Sequence, residues 1–204
     1  MIVSLDGNIG SGKSSVLHLL RAEPDVCVFP EPVDEWTLLP KFYEDRARYA
    51  LPFSLQVLES FVDAPTRVDA TARGSVLVTE RSPLTGREVF GKMLFNDGVL
   101  TDAQWDVYNA YYKKLGWTPH GIVYIDTPPA ACLERVARRG REAEQTGVDL
   151  EYLVRLDRAH RVLLDHAGVP VEIVDGTLPP AEVASAVVRA LGTMARYAAA
   201  ATVT

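Results

Sequence analysis

Short apolar runs rich in β-branched residues alternate with longer stretches of helical periodicity along the whole chain. Residues 2–5 read as a strand, followed by a glycine-rich turn and a helix over 14–21. Val26–Phe29 is a second strand, stopped by Pro30. Residues 38–50 and 53–71 read as two helices parted by Pro52, because proline lacks the amide a helix interior needs. The run 75–79 is apolar at nearly every position, as expected of a strand buried on both faces. Helices are predicted over 84–95 and 102–115, the second with Thr101 as N-cap and Gln104 three residues on. A fourth strand follows over 121–127, then a helix opened by Pro128-Pro129 and interrupted at Gly140. Residues 149–167 are a strongly amphipathic helix, 169–174 a fifth strand and 179–197 a last helix, with 198–204 expected to fray. Strands apolar on both faces and separated by helices predict one α/β domain, a parallel sheet wrapped by helices.

Composition narrows the class. The 204 residues, 48% hydrophobic and 24% charged, suit one compact domain rather than a disordered chain. No apolar run is long enough to span a bilayer. A net charge of −6 argues against a broad basic footprint for DNA or RNA, but leaves room for a local cationic pocket. Cys27 and Cys132 lie outside any CxxC and are expected as two buried thiols in a reducing compartment. The first strand begins at residue 2, which leaves no room for a targeting leader, and a cytoplasmic enzyme is expected. His18, His120, His160 and His166 form no metal-ligand or triad spacing and receive no role.

The chemistry enters at Gly7-Asn8-Ile9-Gly10-Ser11-Gly12-Lys13-Ser14, which fits GxxxxGK[ST] in full and lies between a strand and a helix. Glycines let backbone N–H groups and the helix N-terminus face phosphates, Lys13 brings a positive charge to the β/γ-phosphates, and Ser14 offers an oxygen to Mg²⁺. The motif specifies nucleotide binding but not the reaction, and the guanine-reading NKxD of GTPases is absent.

Glu80-Arg81-Ser82 follows the third strand, and Glu31-Pro32-Val33 with Trp36 follows the second. Both lie at the sheet edge where ligands collect in such folds. One carboxylate there can take the proton of an attacking hydroxyl while the other serves Mg²⁺. Arg135 and Arg139, four apart, share a helix face, and Arg141 lies just past Gly140. A solvated basic face is one reading of these arginines, and a lid that neutralises transition-state charge is the other and preferred one.

The ordered set of these motifs, with Phe42-Tyr43-Glu44, Tyr124-Ile125-Asp126-Thr127-Pro128 and Leu150-Glu151-Tyr152-Leu153, resembles the deoxynucleoside kinase family over residues 2 to about 165. The resemblance implies a P-loop NTPase-like three-layer α/β fold, with a five-stranded parallel sheet flanked by helices and an arginine-rich lid over about 136–148. It implies phosphorylation of a deoxynucleoside 5′-hydroxyl with ATP and Mg²⁺. Glu31 would be the general base, Arg81 would contact the 5′-oxygen and the phosphoryl group, and Lys13 would complete the catalytic set. Residues 7–14, Ser15, Arg135, Arg139 and Arg141 would hold ATP, with Ser14 and Glu80 serving Mg²⁺. Tyr43 and Glu144 would hold the 3′-hydroxyl, and Trp36 and Phe90 would line the base pocket.

The base reader departs from the pattern. Where the family places a glutamine just after a phenylalanine, Ser54 follows Phe53, and Gln56 is the expected reader after a two-residue shift, with Ser54 the competing one. Asp63 and Gly86 stand where cytidine- and purine-preferring members carry an Arg and Asp pair, and the space at Gly86 suggests a pyrimidine-leaning or broad specificity. Apolar and aromatic residues on more than one face of 105–115 suggest a partner helix, which the resemblance makes a homodimer. A thymidylate-type monophosphate kinase and a non-catalytic nucleotide-binding partner are the alternative readings.

Overall fold

A computed structural model describes residues 1–69, 76–140 and 147–201. Its core is a five-stranded parallel sheet of β1 (Ile2–Gly7), β2 (Val26–Phe29), β3 (Val76–Glu80), β4 (Gly121–Asp126) and β5 (Val171–Asp175), in the order β2-β3-β1-β4-β5. β1 lies in the middle, so its C-terminal end is flanked by those of β3 and β4. One face is covered by α1 (Lys13–Leu20) and by the last helix, Pro180–Ala201, packed around Val3, Leu5, Val123 and Val187. Each such fully buried aliphatic side chain contributes about 1.5–3 kcal/mol, which is what makes the near-continuous apolar strands fold as central ones.

The other face carries α2 (Leu39–Glu44), α3 (Arg46–Ser60), α4 (Ala64–Asp69), α5, α6 (Asp102–Leu115), α7 (Pro129–Arg139) and α8 (Leu150–Asp165); the last helix is then α9. α5 is a continuous rod built from Pro83–Thr85, a π-helical stretch Gly86–Gly91, and Lys92–Asn96. Thr101 and Gln104 form the expected reciprocal capping box at the start of α6. The two cysteines are free thiols, Cys132 buried and Cys27 partly so. No helix among the described residues is long and apolar enough to cross a membrane.

Several element boundaries differ from expectation, the largest of them around Pro52. The helix expected to break at Pro52 instead runs through it as α3, and the break falls at Asp45, whose carboxylate caps Arg48 N–H at 3.1 Å. Pro52 is exposed, and the carbonyl it leaves without a helical donor belongs to exposed Arg48, where water can bond it. Burial of Ala50 and Leu58 on the opposite face offsets the remaining cost. β3 ends one residue later than expected, at Glu80, and α9 continues to Ala201 into the segment expected to fray.

Candidate functional site: a phosphate loop facing a buried ion pair

The loop after β1 is fastened by its neighbours. Buried Asn8 donates its side-chain amide to the Leu153 carbonyl at 2.9 Å and accepts Ile9 N–H on Oδ1 at 2.9 Å. Gly10 has φ +80°, and a Cβ there would lie 2.5 Å from the Cys132 carbonyl oxygen, so glycine alone lets the loop lie this close to α7. The Ser11 carbonyl accepts from Thr127 Oγ1 at 3.1 Å and from Arg135 at 3.0 Å. Lys13, 4% exposed, points its ammonium back into the loop and donates to the Gly7 and Asn8 carbonyls at 3.1 and 2.9 Å. Burial, together with the Arg81 charge, pushes its pKa down to about 8.

Glu31, just past β2, and Arg81, just past β3, meet in an ion pair of 2.5 Å between two nearly buried side chains. Arg81 is the one non-glycine residue with positive φ among those described, at 61°. Such a backbone costs roughly 1–3 kcal/mol and persists only where its surroundings determine it. Here its N–H donates to the Leu5 carbonyl at 3.1 Å, and its guanidinium lies 5.0 Å from the centre of the Phe90 ring. Burial pushes the Glu31 carboxyl up and the Glu80 charge adds to this, against the pull of Arg81 and Lys13; the net direction is upward. For Arg81 the two carboxylates outweigh burial, and it stays cationic.

Ser14 Oγ donates to Glu80 Oε1 at 3.0 Å, which brings two hard oxygen donors side by side beneath the loop. Among the described residues no group of three His, Cys, Asp or Glu side chains forms a metal cage. A hydroxyl and one carboxylate fit Mg²⁺, which completes its shell with water and phosphate oxygens rather than with a protein cage.

All of this opens on one cavity of about 710 Å³. Lys13, Ser14, Ser15, Glu80, Arg135 and Arg139 line its phosphate side, along with Arg138, which the sequence did not single out. Arg135 does not stand free as part of a lid: it ties α7 to the loop through Ser11 and to the Gly176 carbonyl at 3.0 Å. Arg141 and Glu144, with the middle of the segment expected as a lid, 141–146, lie outside the described residues.

Trp36, Tyr43, Gly86 and Phe90 all line the cavity. Gly86 and Phe90, four apart on the π-helical stretch of α5, face it together. Gln56 does not line it. Its amide accepts Leu38 N–H at 3.0 Å and donates to Thr37 Oγ1 at 3.1 Å, because the face of α3 turned to the cavity carries Phe53, Ser54 and Val57, with Phe61 just beyond the helix. Ser54 is thus the residue on the wall, and Phe61 rather than Asp63 lies further along it.

Several residues here carried no signal in the sequence. Tyr108 of α6 lines the cavity, its hydroxyl 3.8 Å from where a Cβ on Gly86 would stand. Arg46 lies among the rings of Phe42, Tyr43 and Tyr152, at 5.8, 5.9 and 5.6 Å, and donates to the Gly147 carbonyl at 2.9 Å. Gly147 packs its Cα against Tyr43 so closely that an added Cβ would be 2.1 Å from the ring. Buried Asp6 accepts from Thr85 Oγ1 and Ser4 Oγ, both at 2.8 Å, and so joins β1 to the start of α5.

A loop shaped for phosphates, facing a carboxylate–arginine pair across one cavity, defines a phosphoryl-transfer enzyme of the P-loop class. The chain matches the deoxynucleoside kinase family over residues 3–187 and belongs to that family. It is similar to protein 029R of Invertebrate iridescent virus 3, 34% identical over 195 residues that cover 96% of this chain and 98% of the relative. Deoxycytidine kinase 2 of Gallus gallus is 30% identical over 194 residues, covering 79% of this chain and 73% of its own. Human mitochondrial thymidine kinase 2 is 29% identical over 169 residues, covering 78% and 62% respectively. The protein is therefore an enzyme, a kinase of deoxynucleosides, and its five-stranded parallel sheet flanked by helices is the one its sequence led one to expect.

Proposed function

We propose that this kinase transfers the γ-phosphoryl group of ATP, with Mg²⁺, to the 5′-hydroxyl of deoxynucleosides of more than one base, pyrimidines foremost. The observation that carries the reading is the 2.5 Å Glu31–Arg81 pair opening on the same cavity as Lys13 and the Ser14–Glu80 couple. The 5′-oxygen bonds to the γ-phosphorus as the bond to the β,γ-bridging oxygen breaks. The hydroxyl proton passes to the Glu31 carboxylate, and ADP leaves. Raising the Glu31 carboxyl through burial brings it nearer to the working pH, which suits a general base. Arg81 and Lys13 spread positive charge over the transferring group, and Arg135 keeps the loop in shape. Ser14 and Glu80 would hold Mg²⁺, which when bound screens the phosphate charge.

The base end supports the breadth of choice. Trp36, Phe53, Phe61 and Phe90 offer stacking surface, and its polar side chains include the hydroxyls of Ser54 and Tyr108. A hydroxyl rotates to donate or accept, so it does not impose one pattern on a base edge as an amide does. Space beside Gly86 leaves room for the 5-methyl group of thymidine. Tyr43, held by Gly147, would pack on the sugar. A Gly147→Ala substitution is expected to raise KM for the deoxynucleoside about tenfold by displacing that ring, with KM for ATP little changed, in steady-state kinetics.

The test of the whole reading is product analysis with thymidine, deoxycytidine, deoxyadenosine and deoxyguanosine. Turnover of both pyrimidine deoxynucleosides within about tenfold of each other is expected, since hydroxyl readers discriminate weakly. Turnover of thymidylate with none of any nucleoside would overturn it in favour of a monophosphate kinase. The half-exposed Val107 and Tyr111 on α6 support a homodimer formed through that helix, and the two free thiols support a cytoplasmic setting.

A further inference from the structure

His160 has no place in the reading above, yet it is fully buried at the centre of α8. Its Nδ1 lies 2.8 Å from the Leu156 carbonyl, which can only accept, so Nδ1 carries the proton and Nε2 presents a lone pair. Burial, with the charges of Arg81, Lys13 and Arg161 around it, holds its pKa down to about 3, and the ring is neutral. Nε2 has no hydrogen-bond partner among the described residues. Neither has Arg81 Nε, a buried donor. The Phe90 ring packs against both residues, its centre 5.0 Å from the Arg81 guanidinium and 6.1 Å from the His160 ring, which it meets edge-on.

A third unpartnered atom, Thr79 Oγ1, belongs to the same sheet face. Thr79 is in register with Ser4 on β1, and Asp6, two residues on, is in register with Tyr124 on β4, whose ring lies 5.5 Å from that of His160. A donor and an acceptor left over in one buried polar layer are what an ordered water satisfies, since a buried water needs two to four polar partners.

We propose that His160 is a positioning residue for Arg81: its Nε2 accepts, through one buried water, the hydrogen bond that Arg81 Nε–H donates, and so fixes the guanidinium against Glu31. The strained backbone at Arg81 gives this contact its purpose. The side chain leaves the chain at φ 61°, and Glu31, the Gly7 carbonyl (which accepts from Nη2 at 3.4 Å) and Phe90 hold only its far end. Anchoring Nε adds a third point to the contacts of Nη1 with Glu31 and Nη2 with Gly7, and so holds the base of the guanidinium as well as its tip. The inference rests on the reading of Arg81 as the arginine that meets the phosphoryl group.

The experiment compares His160→Phe, which keeps the ring packed between Phe90 and Tyr124 but lacks the acceptor, with His160→Gln, which retains one. Steady-state kinetics, Tm and the ¹⁵N–¹H signal of the Arg81 side chain, assigned by its loss in Arg81→Lys, are read for each. The expected result is a slowly exchanging Arg81 Nε–H in the wild-type protein, and in His160→Phe at least about tenfold faster exchange and about tenfold lower kcat at unchanged KM for ATP. His160→Gln is expected to restore most of both. An unchanged Arg81 signal in His160→Phe overturns the proposal, whatever happens to kcat, as does failure of His160→Gln to restore the signal. Should His160→Phe not fold, rapid exchange of Nε–H in the wild type overturns it alone. Because the signal is read without substrate, a failure of the kinase reading would appear separately, as absent turnover with the Nε–H still protected.

Discussion

Glu31→Gln is expected to lower kcat by about 10²–10⁴-fold, the range that one well-placed general base contributes. The substitution is nearly isosteric, and the amide oxygen can still accept from Arg81, so the fold and the position of the arginine are retained. What is lost is the ability to take a proton. Removing one charge of a buried pair also carries a stability cost, because Arg81 is left with Glu80 as its nearer counter-charge. A lowered Tm with KM for the deoxynucleoside roughly unchanged is therefore part of the expectation. The measurement is single-turnover formation of the monophosphate alongside a thermal melt. A kcat within tenfold of the wild type would show that the proton leaves by another route and that Glu31 serves only to seat Arg81.

The second large effect is expected for Lys13→Met, with kcat down about 10²–10³-fold and the stabilisation by ATP in a thermal melt lost or much reduced. The ammonium is held inside the loop by the Gly7 and Asn8 carbonyls, which fixes the position of its charge. Methionine keeps the stem and leaves both carbonyls without that donor. Lys13→Arg is expected to rescue little. The cradle leaves the side chain 4% exposed, and a planar guanidinium is too wide for a space shaped around one nitrogen. Full ATP protection in Lys13→Met would assign phosphate binding to the backbone amides and the α7 arginines instead.

Both expectations concern residues that the linear chain already marked. The phosphate loop is legible because its physics is local: glycines, a lysine and a serine at fixed spacing between a strand and a helix suffice to build it. Glu31 and Arg81 are legible for a related reason. Each lies two residues past a short β-branched run, and parallel strands bring such positions to one edge of the sheet whatever the detailed packing. The capping box at Thr101 and Gln104 belongs to the same class of local chemistry.

Pro52 shows where local rules end. Its helix-breaking tendency is overridden because the affected carbonyl faces solvent while Ala50 and Leu58 are buried, and that facing is set by the rest of the domain. Gln56 shows the same limit for function. An amide that is chemically suited to reading a base belongs to the wrong face of α3 and is spent on Thr37 and Leu38, whereas Ser54, two residues earlier, reaches the cavity.

The sequence by itself therefore determined the class of fold, the phosphate loop and the placing of an acid and an arginine at neighbouring strand ends, since spacing and periodicity along one chain encode them. Only the tertiary structure decided which residues of α3 line the cavity, that Arg135 clamps the loop, that Gly147 backs Tyr43 and that Phe90 packs against both Arg81 and His160. Most of those contacts join residues tens of positions apart, and the direction of a side chain across such a distance is set by how helices pack on the sheet, which no local pattern records.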